Sequence, residues 1–169
     1  MGFACLLEED PIQAAEAMIA SGRALDAARA LQARLKAGRG GLLARLTLVK
    51  ALMATGDAQA ALDEAREAVS LNPQVAVAVL ALGEALLAAD ALPTAIAELQ
   101  RALRLDPELT RARELIALAW LKAGEADKAL EQLRGLENPP PGMISACEAI
   151  KNATRSDPGY VRHLFDQFS

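Results

Sequence analysis

Ser156, His163 and Asp166 are the residue types of a nucleophile, a base and an orienting carboxylate, and they stand close together near one end of the chain. Hydrolytic chemistry of that kind needs the hydroxyl within hydrogen-bond reach of an imidazole whose other nitrogen is held by the carboxylate. Proximity in sequence does not supply that geometry, and His163 and Asp166 fit the polar side of a short amphipathic helix. The chain holds one histidine and two distant cysteines, Cys5 and Cys147, so no cluster has the spacing of a zinc site. The cysteines read as small buried hydrophobes rather than as a disulfide. Glu8, Glu9 and Asp10, and Asp63 with Glu64, could be paired carboxylates, but near helix N-termini they offset the macrodipole and need no catalytic role. The glycine-rich stretch AGRGG at 37–41 lacks the Gly-Lys-Ser/Thr ending of a phosphate loop and reads as a helix breaker. The expectation is a chain that is not itself an enzyme, with no catalytic, cofactor-binding or metal-ligating residues.

Composition narrows the remaining classes. The chain has 169 residues, 53% of them hydrophobic and 24% charged, which suits a folded domain or a short repeat array. A net charge of -4 and a pI near 5.1 give no basic field for phosphate backbones, so nucleic acid is not an expected partner. No apolar run reaches the roughly 18 to 20 residues that span a bilayer. The opening MGFACLLEEDP has neither a basic n-region nor a cleavage site, and Leu6 stands where myristoylation wants Ser or Thr. These features predict a cytoplasmic protein without a membrane partner.

The elements that must position any functional residue are set by a repeat. Gly22, Gly56, Asp90 and Gly124 fall 34 residues apart without insertion, as do Ala27, Ala61, Ala95 and Ala129. Two further columns keep the same step: Ala14, Leu48, Leu82 and Ile116, and Leu31, Ala65, Leu99 and Leu133. Each unit predicts two helices. In the third, Asn72-Pro73 is expected to cap the first helix and place proline at its first position, a device that Asp106-Pro107 repeats and Asp10-Pro11 resembles. Val79, Leu82, Leu86 and Leu87 mark the apolar face of that helix, Asp90 ends it, and a second helix runs from about Leu92 to Leu105. The alanine column is expected where the helices of a pair approach closely.

This pattern resembles the tetratricopeptide repeat (TPR). The match covers residues 8–141 as units 8–41, 42–75, 76–109 and 110–141, after an extension at 1–7. Gly83, Val49, Ala117 and Ala15 take the family's eighth position, the alanine column its twentieth, and Pro73, Pro107 and Pro141 its closing proline. The large aromatics common in the family are mostly aliphatic here, Trp120 excepted, and Arg39 replaces the closing proline of the first unit. The resemblance implies an all-α fold, an α-α superhelix of four helix-turn-helix repeats. A helix at 142–156, with Met143, Ala146, Cys147, Ile150 and Ala153 on one stripe, is expected to cap it.

It also implies a non-catalytic protein-binding module whose groove is lined by repeat positions 2, 5, 9 and 12. Carried over, these are Leu43, Leu46, Lys50 and Met53 in the second unit, Val77, Leu80, Glu84 and Leu87 in the third, and Arg111, Glu114, Leu118 and Leu121 in the fourth. An apolar middle with a charged end points to an amphipathic helix or apolar peptide as ligand. It argues against the family's chaperone-tail clamps, which grip a carboxylate with lysine and asparagine at positions 5 and 9. The alternative is a free-standing scaffold that self-associates, as a homodimer, through the same groove.

Three of the five aromatic residues, Tyr160, Phe165 and Phe168, lie in the last ten residues of the chain, the stretch that also holds His163 and Asp166. Val161, Leu164, Phe165 and Phe168 fall at i, i+3, i+4 and i+7, the spacing of an amphipathic helix. YVRHLFDQF resembles the segment that joins a TPR array to a class I S-adenosylmethionine-dependent methyltransferase domain in bacterial proteins. That resemblance makes residues 157–169 a linker and the start of a further domain, and the repeats the adaptor of a longer enzyme. The methyltransferase domain or its substrate would then be the protein partner. This sequence carries neither the strands nor the glycine-rich cofactor loop of such a domain, so no cofactor is expected.

Overall fold

The computed structural model describes residues 10–155, with the side chains of Thr154 and Arg155 excepted. Cys5, Glu8, Glu9 and the segment from Ser156 onward, including His163 and Asp166, lie outside the described residues. Nine helices and no strand are found among the described residues: α1 Pro11–Ala20, α2 Ala24–Lys36, α3 Leu42–Ala54, α4 Ala58–Leu71, α5 Ala76–Ala88, α6 Leu92–Leu105, α7 Thr110–Lys122, α8 Ala126–Arg134 and α9 Pro141–Arg155. The protein is all-α, as its repeat pattern implies. The helices group into two compact units divided between Ala91 and Leu92.

In the first unit each helix packs on the next from α1 to α5, and α3 also packs against both α1 and α5. The first helices of successive repeats therefore lie side by side. Leu31, Leu48 and Val79 are buried here, with Ala27, Ala61 and Ala65 completely covered. Thr47 is a buried polar residue, and its hydroxyl donates to the Leu43 carbonyl at 2.9 Å, so no polar atom is stranded. Arg45 of α3 pairs with Glu64 of α4 across the second helix pair.

In the second unit α6 packs on α7, α7 on α8, and α9 on both α7 and α8. Cys147 of α9 joins Ala117, Ala126, Ala129, Leu133 and Leu136 in one buried cluster, with Trp120, Met143, Ile144 and Ile150 packed around it. Ile144 adds a contact that the predicted stripe did not contain. Lys151 of α9 pairs with Asp127 of α8.

One turn geometry recurs. At Gly56 the amide donates to the Met53 carbonyl at 3.0 Å, the next amide, of Asp57, donates to Leu52 at 3.0 Å, and φ is +81°. This is the crossed bonding that closes helix ends through a left-handed residue. Asp90 makes the same bonds, to Leu87 and from Ala91 to Leu86, with φ of +59°. Aspartate tolerates that conformation better than most L residues, which is why it can replace glycine in this column. An added Cβ at Gly56 would meet nothing within 4 Å, so any cost of substitution is backbone strain. Gly56→Ala is expected to lower stability by about 1 to 2 kcal/mol, read as a shift in the urea midpoint followed by circular dichroism.

The Asx-Pro pairs correct one expectation. Asp10-Pro11 does start a helix, the aspartate Oδ1 accepting from the Ile12 amide at 3.0 Å. Asn72-Pro73 and Asp106-Pro107 do not: α5 begins at Ala76 after Val75, and α7 at Thr110 after Leu109. Asn72 instead ends α4, its side-chain amide donating to the Ala68 carbonyl at 3.2 Å. Asp106 Oδ1 accepts from the Glu108 amide at 3.1 Å, folding the link between α6 and α7. Proline cannot continue the helix it follows, so it sits comfortably just past a helix end.

Candidate interaction face

The candidate face is built from the repeat's first helices, and each unit has its own part. In the first unit α3 and α5 lie adjacent. Leu43 and Val77, one period apart, are 58% and 44% exposed. Leu46, Met53 and Leu80 are half-buried, Glu84 is half-buried and Lys50 is exposed. Leu87 differs: at 6% exposure it is an interior residue, and it drops out of the face. The sequence had placed it both on the apolar face of its helix and in the groove, and packing decides for the former.

The structure also adds residues that the carry-over from the family did not reach. One period before Leu46, Lys50 and Met53 stand Ile12, Glu16 and Ile19 of α1. The Lys50 ammonium lies 3.7 Å from the Glu16 carboxylate, which places the ninth positions of the first two repeats side by side. Ile12 and Ile19 are half-buried. The signal was present in the period, which extends the same arithmetic one unit back. The result is an apolar strip on α3 and α5, extended onto α1, with a row of charges, Glu16, Lys50 and Glu84, beside it.

In the second unit Arg111 and Glu114 of α7 pair with each other at 3.2 Å. Leu118 is half-buried, and Leu121 packs against the cluster that holds Cys147. This part of the face is charged at the start of α7 and largely occupied by internal packing at its end. A cleft of about 650 Å³ opens beside it, lined by Glu108, Arg113, Glu114 and Glu137 among others. Arg113 donates to the Pro107 carbonyl at 3.2 Å and so holds the α6–α7 link.

Those residues that suggested chemistry and lie among the described ones have structural duties. Asp10 caps α1. Asp63 accepts from Gln59 and faces Arg66, while Glu64 is engaged by Arg45. AGRGG ends α2, with Gly38 at φ +68°, and Gly40 passes so close to Leu35 that a Cβ there would collide with it. Burial pushes the Cys147 thiol above its ordinary range, which disfavours the reactive thiolate. Among the described residues no group of three or more histidine, cysteine or acidic side chains could hold a metal ion, and no helix is long and apolar enough to cross a membrane.

The sequence profile of the tetratricopeptide repeat family matches residues 46–109 and again residues 80–142. These matches together take in more than half of the chain, which belongs to the tetratricopeptide repeat family. Among solved structures it is similar to TTC0263, a thermophilic TPR protein of Thermus thermophilus, with a TM-score of 0.71 at 23% identity over 85% of this chain and 81% of that one. It is also similar to MamA, with a TM-score of 0.66 at 29% identity over 86% and 85% of the two chains. A third, YrrB, described as a TPR protein with an unusual peptide-binding site, gives 0.61 at 18% identity over 92% and 73%. At the identities of TTC0263 and YrrB the likeness speaks for the fold alone. No match is found among curated protein sequences.

Proposed function

We propose that the chain is a non-catalytic interaction module that takes an amphipathic helix or apolar peptide on the strip formed by α3 and α5. The observation that carries this reading is the joint exposure of Leu43 and Val77 on neighbouring helices, flanked by half-buried Leu46, Met53 and Leu80. Monomeric proteins in water rarely leave such a patch uncovered. Covering two or three of these side chains contributes on the order of 1.5 to 3 kcal/mol each before association costs are subtracted. The fold suits this role, and a structural neighbour is described as having a peptide-binding site.

The test uses a synthetic amphipathic peptide with leucines at i, i+3, i+4 and i+7 on a lysine and glutamate background. Leu46→Asp with Leu80→Asp is expected to weaken its binding at least about tenfold, with the helical circular dichroism signal unchanged. Equal affinity in the double variant sinks the reading. Loss of helicity instead assigns those leucines to the core.

The finer reading makes the module the cytoplasmic N-terminal adaptor of an S-adenosylmethionine-dependent methyltransferase, supported by YVRHLFDQF. The parent reading frame tests it: a β/α pattern with a glycine-rich turn soon after Ser169 supports the fusion. A second reading, self-association of a free-standing scaffold through the same strip, is favoured by the same joint exposure of Leu43 and Val77. Light scattering at several concentrations separates it from peptide capture.

A further inference from the structure

We propose that the second helices of the first two repeats, α2 and α4, form a face on which a second copy of this chain docks. The face is separate from the strip on α3 and α5 and does not depend on it. Both helices border one cleft of about 330 Å³, lined by Gln32, Leu35 and Lys36 of α2, Glu64 of α4, and Arg45 of α3, which packs on both. Along α2, Leu25, Arg29, Gln32 and Lys36 fall at i, i+4, i+7 and i+11, one side of a helix. Ala60, Glu64, Glu67 and Leu71 keep the same spacing along α4. Gln32, Lys36 and Glu64 line the cleft, so these two stripes are its walls. Leu25 and Leu71 are 54% and 61% exposed, a large apolar surface to leave in water.

The walls carry opposite charge. Arg29 and Lys36 stand exposed on α2 and Glu67 on α4, and none of the three has an ion-pair partner among the described residues. Glu64 is already engaged by Arg45. Arg66, the basic residue of α4, lies off the stripe, 3.7 Å from Asp63. A surface with one positive and one negative wall is complementary to itself.

That complementarity selects one arrangement. A copy turned over about a two-fold axis along the cleft lays its α2 on this α4 and its α4 on this α2, and every contact occurs twice. The period of 34 sets each α2 residue level with the α4 residue 34 further on, so Glu67 comes between the levels of Arg29 and Lys36. At 1.5 Å rise per residue it is about 6 Å along the axis from the first and about 4.5 Å from the second, a gap that long basic side chains cover. Leu71 comes level with the aliphatic stem of Lys36, and Leu25 with Ala60. An axis across the cleft would instead lay α2 on α2 and set Arg29 and Lys36 of the two copies together, like charge against like. Two helix faces make a small interface, so the dimer belongs to the transient class and weakens with salt.

The test is sedimentation equilibrium of the full chain over a range of protein concentrations at low and high salt. A monomer–dimer equilibrium is expected, shifted toward monomer by salt. Arg29→Glu with Lys36→Glu, and separately Glu67→Lys, are each expected to weaken self-association at least about tenfold, with the helical circular dichroism signal unchanged because all three positions are exposed. Mixing the two variants is expected to restore the dimer, since each then offers the wall that the other needs. A native chain that stays monomeric, charge variants that associate as well as the native chain, or a mixture that does not dimerise overturns the proposal. Association lost in the Leu46→Asp, Leu80→Asp chain but kept in both charge variants makes the α3 and α5 strip the contact and also overturns it. A monomeric native chain that binds the amphipathic peptide overturns this face alone and leaves the strip standing.

Discussion

Leu48→Ala is expected to lower the unfolding free energy by about 3 to 5 kcal/mol, while Leu43→Ala, five residues earlier on the same helix, is expected to change it by less than about 1 kcal/mol. The two side chains are chemically identical and differ in what surrounds them. Leu48 is completely buried in the first unit, so removing its branched end forfeits the transfer free energy and leaves a cavity that neighbouring helices cannot fully close. Leu43 is 58% exposed, so its truncation removes little apolar surface that folding had covered. Urea denaturation followed by circular dichroism measures both. A loss at Leu43 as large as that at Leu48 would mean that the strip on α3 and α5 is core and that the proposed face does not exist. Since domains are stable by only about 5 to 15 kcal/mol, the Leu48 variant should be partly unfolded near its ordinary melting range.

The second large effect lies in the alanine column. Ala61→Leu is expected to cost about 1 to 3 kcal/mol, although leucine is a good helix former and more hydrophobic. Ala27, Ala61, Ala95 and Ala129 are all completely buried, one in the second helix of each repeat. Larger side chains there would push packed helices apart or force strained rotamers. Ala54→Leu, at an exposed position ending α3, is the matched control and should be nearly neutral. Equal effects at Ala54 and Ala61 would show that volume at the column is not limiting.

Much of this fold was legible because its signals are local and repeat. Gly56 and Asp90 could be aligned by spacing alone, and both take the left-handed backbone that the column requires. The predicted span from about Leu92 to Leu105 is that of α6. Local sequence alone does not place helix starts at Asn72-Pro73 and Asp106-Pro107 correctly, because an Asx-Pro pair satisfies two local rules at once. It caps a helix that follows immediately, and it closes one that has just ended. Which applies depends on whether the next residues turn first, and here they do.

The face was less legible, for a physical reason. α3 and α5 carry apolar residues on every side, so periodicity cannot say which side is covered. Leu43, Leu48, Val77 and Leu87 are alike in sequence, yet two are exposed and two are buried. Only neighbouring helices make that distinction, and the Glu16–Lys50 pair belongs to α1 and α3 together rather than to either helix. The repeat, its turns and its small-residue column can be read from local sequence, because each rests on backbone conformation or side-chain size at one position. Which apolar side chains stay exposed is settled only by packing, because burial is a property of the neighbours a residue acquires on folding.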